Sequence, residues 1–321
     1  MQNFPTLVFI PGAWHKATCY DLVIKLLEEK HNLKCVAVTN PSTTGDPNAT
    51  FKDDLDAARK AVSDETSSGR DVVVIAHSYG GMIGNSVIKG FARPRETAKG
   101  AVTQHADTAA GHVIGLILIA SGYTFGGFAF MDPFFGRPPP TWRANWDTGF
   151  ADIITPPREF FYHDLTADEA EYRISQLTPQ SLKALYEGAE YSYSGWLDVP
   201  SFYIGTIEDY GLPAVVQRLN VGMARGMGAS AEHRELQTSH SPFLSQPEAT
   251  VSIMVEAVEK FTGKRLEGAA KRKPDNRVKL PEPRLLKPFT WFKFGLPLVF
   301  GRIIGKGVLA FLWVRSLWKH K

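Results

Sequence analysis

The chain has 321 residues, 44% of them hydrophobic, with two cysteines and a formal net charge of +3. That length and composition allow one sizeable core with an insertion, and two cysteines exclude a disulfide framework. Cys19 and Cys35 lie in apolar stretches and read as core packing. The modest net charge hides an asymmetry. Residues 264–321 hold 15 Lys/Arg and 3 Asp/Glu, a balance of +12, whereas residues 1–263 hold 21 and 30, or −9. An acidic body carries a basic tail.

The elements alternate along the body. A strand is predicted at once over 6–10 (TLVFI), which leaves no room for a signal peptide and is expected to keep the catalytic part inside the cell. The loop Pro11-Gly12-Ala13-Trp14-His15 follows, then a helix over 19–30, a strand over 34–39 and a helix over 51–68. A strand over 71–76 runs into a helix over 79–91, and 93–111 reads as a polar surface excursion before a strand over 113–120. Residues 122–199 break the pattern with many aromatics, among them Phe125 and Phe128, and with helices expected over 168–177 and 181–190. A segment of this size between two core strands is naturally a cap over the carboxyl edge of the sheet. Part of its aromatic set packs the cap itself. The rest, with Trp14 and His15 from the first loop, is expected to line an apolar substrate pocket. Strands over 200–206 and 233–237 and helices over 213–223 and 247–262 complete the body. The expected fold is α/β: a mostly parallel, doubly wound sheet built from 1–121 and 200–263, with the helical cap inserted.

The most informative stretch is Val72-Val73-Val74-Ile75-Ala76-His77-Ser78-Tyr79-Gly80-Gly81. Four β-branched residues run into a serine flanked by small residues, with a helix behind it. A sharp strand-to-helix turn strains the serine backbone and crowds its neighbours, so small residues belong two before and two after it. Ala76 and Gly80 meet that need. The plain alternative is a serine that merely caps the helix.

A serine hydroxyl becomes a good nucleophile when a histidine takes its proton and a carboxylate orients that histidine. On this topology the order is Ser, acid, His, with each later member just past a strand. Past 202–206 come Glu208 and Asp209, of which Asp209 is preferred; past 235–237 comes His240. His233 falls within a strand and is expected at the surface. His77 is expected to turn its ring away from the nucleophile, and His15 comes at the wrong place in the order. The oxyanion donors are expected to be the backbone amides of Tyr79 and Ala13.

Together these motifs resemble the α/β-hydrolases, within the branch of plant methylesterases, hydroxynitrile lyases and related bacterial and fungal esterases. The resemblance covers roughly residues 5–262. It rests on Pro11-Gly12-Ala13-Trp14-His15, on Ala76-His77-Ser78-Tyr79-Gly80-Gly81, on Glu208-Asp209-Tyr210-Gly211-Leu212-Pro213 with Gln217, and on His240-Ser241-Pro242-Phe243-Leu244-Ser245-Gln246-Pro247. Phe161-Tyr162-His163-Asp164-Leu165 is similar to fungal and bacterial members. The resemblance implies the acid at Asp209 and an oxyanion loop at 11–15, with Pro11 in place of the usual histidine. Lyases of this branch keep a threonine where Gly12 stands and a lysine where Ser241 stands, so the resemblance favours hydrolysis.

No metal-ligand spacing, phosphate loop or nucleic-acid recognition fold is visible, and no cofactor is expected. In the tail, 264–288 reads as an exposed, basic, Pro-punctuated linker and 289–321 as a hydrophobic basic helix. The window 294–314 is long enough to span a bilayer, but Arg302 and Lys306 each cost about 2.5–3.5 kcal/mol at a helix centre. A helix lying in an anionic membrane surface, anchored by Trp291, Trp313 and Trp318, fits best. Docking on the body or on a partner chain is the competing reading. The expected function is serine hydrolysis of a small apolar carboxylic ester, thioester or lactone through an acyl-enzyme on Ser78. The alternatives are a non-hydrolytic biosynthetic catalyst (cyclase or lyase), a small-molecule receptor on the same scaffold, or a membrane-tethered interaction protein.

Overall fold

The structure, a computed structural model, describes residues 4–94, 110–266, 275–283 and 287–319, with side chains to 311. Most of the surface excursion expected over 93–111, the run Lys271–Pro274 and the side chains of Trp313 and Trp318 therefore lie outside the described residues.

Six parallel strands form one sheet: β1 (Thr6–Ile10), β2 (Cys35–Ala37), β3 (Val72–His77), β4 (Val113–Ile119), β7 (Ser201–Thr206) and β8 (Ala231–Leu236), in the order β2-β1-β3-β4-β7-β8. The central strands are buried but for the partly covered Ile114 of β4, as continuous Val/Ile runs demand of a sheet covered on both faces. Its covering helices are α1 (Asp21–His31), α2 (Phe51–Ser67), α3 (Gly80–Val87), α7 (Ala214–Gly226), α8 (Pro242–Ser245) and α9 (Pro247–Thr262). Local chemistry sets their ends. Thr50 and Asp53 form a reciprocal capping box on α2, and α1 stops where Asn32 turns left-handed at φ +50°.

Between β4 and β7 lie a hairpin, β5 (Trp142–Asn145) with β6 (Phe150–Ile153), and three short helices, α4 (Pro157–Phe161), α5 (Ala167–Ser175) and α6 (Leu182–Tyr186). Helices alone were expected there. The hairpin forms because Arg143 and Asn145 both donate to Asp152 across the pair. The helix expected over 181–190 ends early, before Gly188 at φ +84°.

The tail differs most from its sequence reading. Where an exposed linker is expected, Lys279 and Glu235 exchange two backbone hydrogen bonds of 2.8 Å, and Pro281 is buried. This strap covers the edge of β8, a position that otherwise presents unpaired backbone groups. Helix α10 (Pro288–Thr290) and a π-helical turn over Trp291–Gly295 lead into α11 (Leu296–Lys319). That helix docks on α7. A Cβ on Gly301 would fall 2.1 Å from the Leu219 carbonyl oxygen, and one on Gly305 would fall 2.3 Å from that of Met223. Gly222 and Gly226 meet Leu298 and Arg302 as closely from the other side. His233, expected at the surface, is buried on the sheet instead: it is 2% exposed, its Nε2 stands 3.5 Å from Glu235, and Tyr203 lies edge-on to its ring.

Candidate active site

β3 delivers Ser78 at its carboxyl end with φ +52°, a left-handed conformation that costs a non-glycine residue about 1–3 kcal/mol. Hydrogen bonds hold it there. Ser78 N donates to the Ile119 carbonyl at 3.1 Å, and the Ser78 carbonyl accepts from Ser121 Oγ at 2.6 Å and Gly81 N at 2.9 Å. The first loop presses on this turn. A Cβ on Gly80 would lie 2.4 Å from the Pro11 oxygen, and one on Gly12 would lie 3.0 Å from both Ser78 Cβ and His77 Nδ1. Ala13 and Tyr79 are buried, and among the described residues neither amide donates to a protein acceptor. Both stay available as oxyanion donors, beside the positive end of α3.

The candidate acid and base, Asp209 and His240, lie in the loops after β7 and β8. His240 Nδ1 and Asp209 Oδ2 stand 2.7 Å apart, both residues buried. Asp209 accepts four further bonds: from Thr206 Oγ1 at 2.6 Å, Gln217 Nε2 at 3.2 Å, Gly211 N at 2.8 Å and Leu212 N at 2.7 Å. Its position is over-determined. Glu208, the rival acid, accepts from Gln237 instead. With Nδ1 protonated toward Asp209, the lone pair of His240 sits on Nε2.

Two more histidines adjoin this set. The His77 ring turns to the histidine loop, its Nε2 bonding the His240 carbonyl at 3.0 Å and its centroid 4.6 Å from that of His240. His15 pairs with the Ala13 carbonyl and with the Tyr162 hydroxyl, each at 2.7 Å, and so ties the first loop to the segment after α4. Burial holds both rings below the usual histidine range, His15 at about 4. They are neutral fixtures of the site.

Phe160 and Phe161 stack on one another at 4.1 Å, and their centroids stand 6.3 and 6.0 Å from that of His240. Trp14 lies against both and against Trp142, its indole donating to the Ala151 carbonyl at 2.9 Å. Phe125 packs on Trp196 and Phe128, and Phe128 is 49% exposed. The sequence reading did not single out Phe160 and Phe161 among the cap aromatics, although Phe161 opens the Phe161–Leu165 motif and Phe160 directly precedes it. It also missed Ser121 and Asp54. Asp54 accepts from Tyr79 Oη and from the amide and hydroxyl of Ser42, and burial raises its carboxyl to about 6.

Comparison with known proteins agrees with the fold. Residues 7–253 match the model of the Alpha/beta hydrolase family. The chain is 27% identical over 256 residues to the alpha/beta hydrolase nvfD of Aspergillus novofumigatus, covering 79% of this chain and 96% of the relative. Its fold is similar to that of a pyrethroid hydrolase from Sphingobium faniae (TM-score 0.57, 19% identity, 81% of this chain and 99% of that one). It is similar as well to that of the methylesterase MES16 from Arabidopsis (TM-score 0.58, 18% identity, 80% and 99%).

Proposed function

Because this chain belongs to the alpha/beta hydrolase family, we propose that it is a serine hydrolase cleaving a small apolar carboxylic ester, thioester or lactone. The 2.7 Å contact of His240 with Asp209, taken with the strained backbone of Ser78 at the end of β3, carries the reading. Ser78 Oγ attacks the acyl carbon while His240 Nε2 takes its proton. The amides of Tyr79 and Ala13 hold the oxyanion, and the proton passes to the leaving group as the acyl–heteroatom bond breaks. Water, deprotonated by the same histidine, then releases the acid. We assign the pocket wall to Trp14, Phe160 and Phe161, with His15 behind the loop. Residues 122–199 act as the cap that sets substrate preference. Of the related proteins one is named a methylesterase and another a hydrolase, and Gly12 and Ser241 favour hydrolysis over cyanohydrin cleavage. Peripheral contact with a membrane through the tail belongs to the same reading, supported by the exposed apolar side chains of α11.

A p-nitrophenyl ester series of increasing acyl length tests the activity. Turnover by the wild type that falls to background in Ser78→Ala is expected. Equal turnover by the two proteins would refute it.

A further inference from the structure

The tail helix has two unlike sides. Its inward side is Leu298, Gly301, Gly305 and Val308, all turned onto the body, with the glycines in backbone contact with α7. Its outward side is a continuous apolar surface: Phe292 is 71% exposed, Phe300 56%, Ile303 59% and Phe311 64%. Phe289, 75% exposed, extends that surface to the start of the tail helix. Exposed Arg302 and Lys306 border it, their long stems able to lie along the apolar surface with the charges in water. Apolar surface of this extent, in a tail with a balance of +12, is complementary to an anionic lipid leaflet. The body, at −9, is repelled by the same leaflet, so charge alone turns the tail side toward it.

The docking register adds two constraints. Gly301 meets Leu219 and Gly222, and Gly305 meets Met223 and Gly226, so the two helices run parallel. Helix α7 begins just past the Asp209 loop, and Arg218 in its second turn donates to the Lys293 carbonyl at 3.1 Å. The exposed aromatics Phe289 and Phe292 therefore lie toward the catalytic edge of the sheet. The seam also holds the helix as far as Gly305. The residues beyond it, 306–319, reach only about 21 Å at ~1.5 Å per residue, short of a hydrocarbon core of about 30 Å. The docked helix does not span.

We propose that the outward face of α11, with Phe289 and Phe292, seats the protein on an anionic lipid leaflet without crossing it. In that pose the catalytic edge lies beside the leaflet and receives esters dissolved in the lipid. The last clause rests on the hydrolase reading; the seating does not.

Flotation of the full-length protein tests this, with phosphatidylcholine vesicles made with and without phosphatidylserine. A long-chain p-nitrophenyl ester is carried in the vesicles, and a short-chain ester in water serves as reference. The wild type is expected to float with the anionic vesicles about 10-fold more than with the neutral ones, less so at high salt, and to hydrolyse the vesicle-borne ester faster when bound. The double variant Phe300→Asp/Ile303→Asp, with an unchanged melting temperature, is expected to lose both effects. Flotation of Ser78→Ala like the wild type, with no hydrolysis, supports seating independently of chemistry. If the wild type floats but hydrolyses neither ester, the hydrolase reading fails and the seating stands. Three results overturn the inference: no flotation with anionic vesicles, flotation that the double variant retains, or a dimer in the absence of lipid that the double variant abolishes. Flotation that leaves the vesicle-borne ester uncleaved while the soluble ester turns over overturns the orientation at the catalytic edge.

Discussion

The nucleophile turn and the tail seam bring backbones into contact by the same device, glycine against carbonyl, and they use it for opposite ends. At the turn, Gly80 lets the Pro11 carbonyl approach closely while Ser78 stays strained and two amides stay undonated. The close approach there holds a demanding arrangement ready for chemistry. At the seam, Gly301 and Gly305 on Gly222 and Gly226 bring two regular helices into backbone contact. Contact there is mechanical, and it leaves the far side of α11 free. The two regions are also connected. Gln217 on α7 holds Asp209, and its neighbour Arg218 binds Glu235 in two bonds of 2.7 and 2.9 Å and lies 4.7 Å from the Phe294 ring of the tail. One turn of helix serves both.

Breaking the turn region should have the largest effect. Asp209→Asn is expected to lower kcat by about 10^3–10^4-fold, because His240 then loses the partner that fixes its tautomer. A panel of ester turnover rates measures this, and a loss below about 10-fold would move the acid elsewhere.

Breaking the seam should cost stability first. Gly301→Leu drives side-chain atoms into the Leu219 carbonyl and is expected to destabilise by about 1–3 kcal/mol. Gly307→Leu, where no atom lies within 4 Å of a Cβ, is expected to stay within about 0.5 kcal/mol of wild type or above it. Urea titrations of the pair sharpen the contrast, and equal losses would show that α11 does not dock in this register.

Gln217→Leu probes the connection. It removes one bond to Asp209 and those to Thr206 and Leu212 while keeping the shape. About a 10-fold fall in kcat with little change in KM is expected, roughly the 1.4 kcal/mol of one positioning contact. Active-site titration separates this from partial unfolding, which would lower the titrated fraction and leave kcat per titrated site unchanged.

The last effect concerns pH. Burial depresses His15, His77 and His233, so the unfolded chain binds their protons near 6.5 and the folded one does not. Their contribution is fully present above about 6.5 and is lost as pH falls below it, by up to about 1.4 kcal/mol per pH unit for each proton. Asp54 acts in reverse. Its raised carboxyl contributes below 3.8, and that contribution is lost as pH rises through about 6. Three groups outweigh one, so the melting temperature should fall on acidification from about pH 7 to pH 5. A flat profile would contradict the burial of these rings.

The same contrast explains what could be read from the chain beforehand. The turn was legible because its requirements are local. Val72–Ile75 must be buried, Ser78 must sit at the apex, and Ala76 and Gly80 must be small, all within ten residues. The order of Asp209 and His240 after their strands followed from topology. The seam was not legible because Gly222 and Gly301 are unremarkable alone and acquire meaning only when folding brings two distant helices together. Lys279 on the edge of β8 is a similar case, since nothing in a basic, Pro-rich stretch marks it as a strand partner. His233 was misplaced because its burial comes from Tyr203 and Gly205 on the neighbouring strand β7, which lie far from it in sequence. Phe160 and Phe161 lie beside His240 because α4 turns them there, and composition alone could not rank them above Phe125 and Phe128.

The central claim is that Ser78 is an activated nucleophile, and intact-mass labelling with a fluorophosphonate probe tests it most directly. A single adduct on the wild type is expected, absent in Ser78→Ala and slowed strongly in His240→Ala. A folded wild-type protein that takes no adduct, or one labelled equally in Ser78→Ala, would contradict the account.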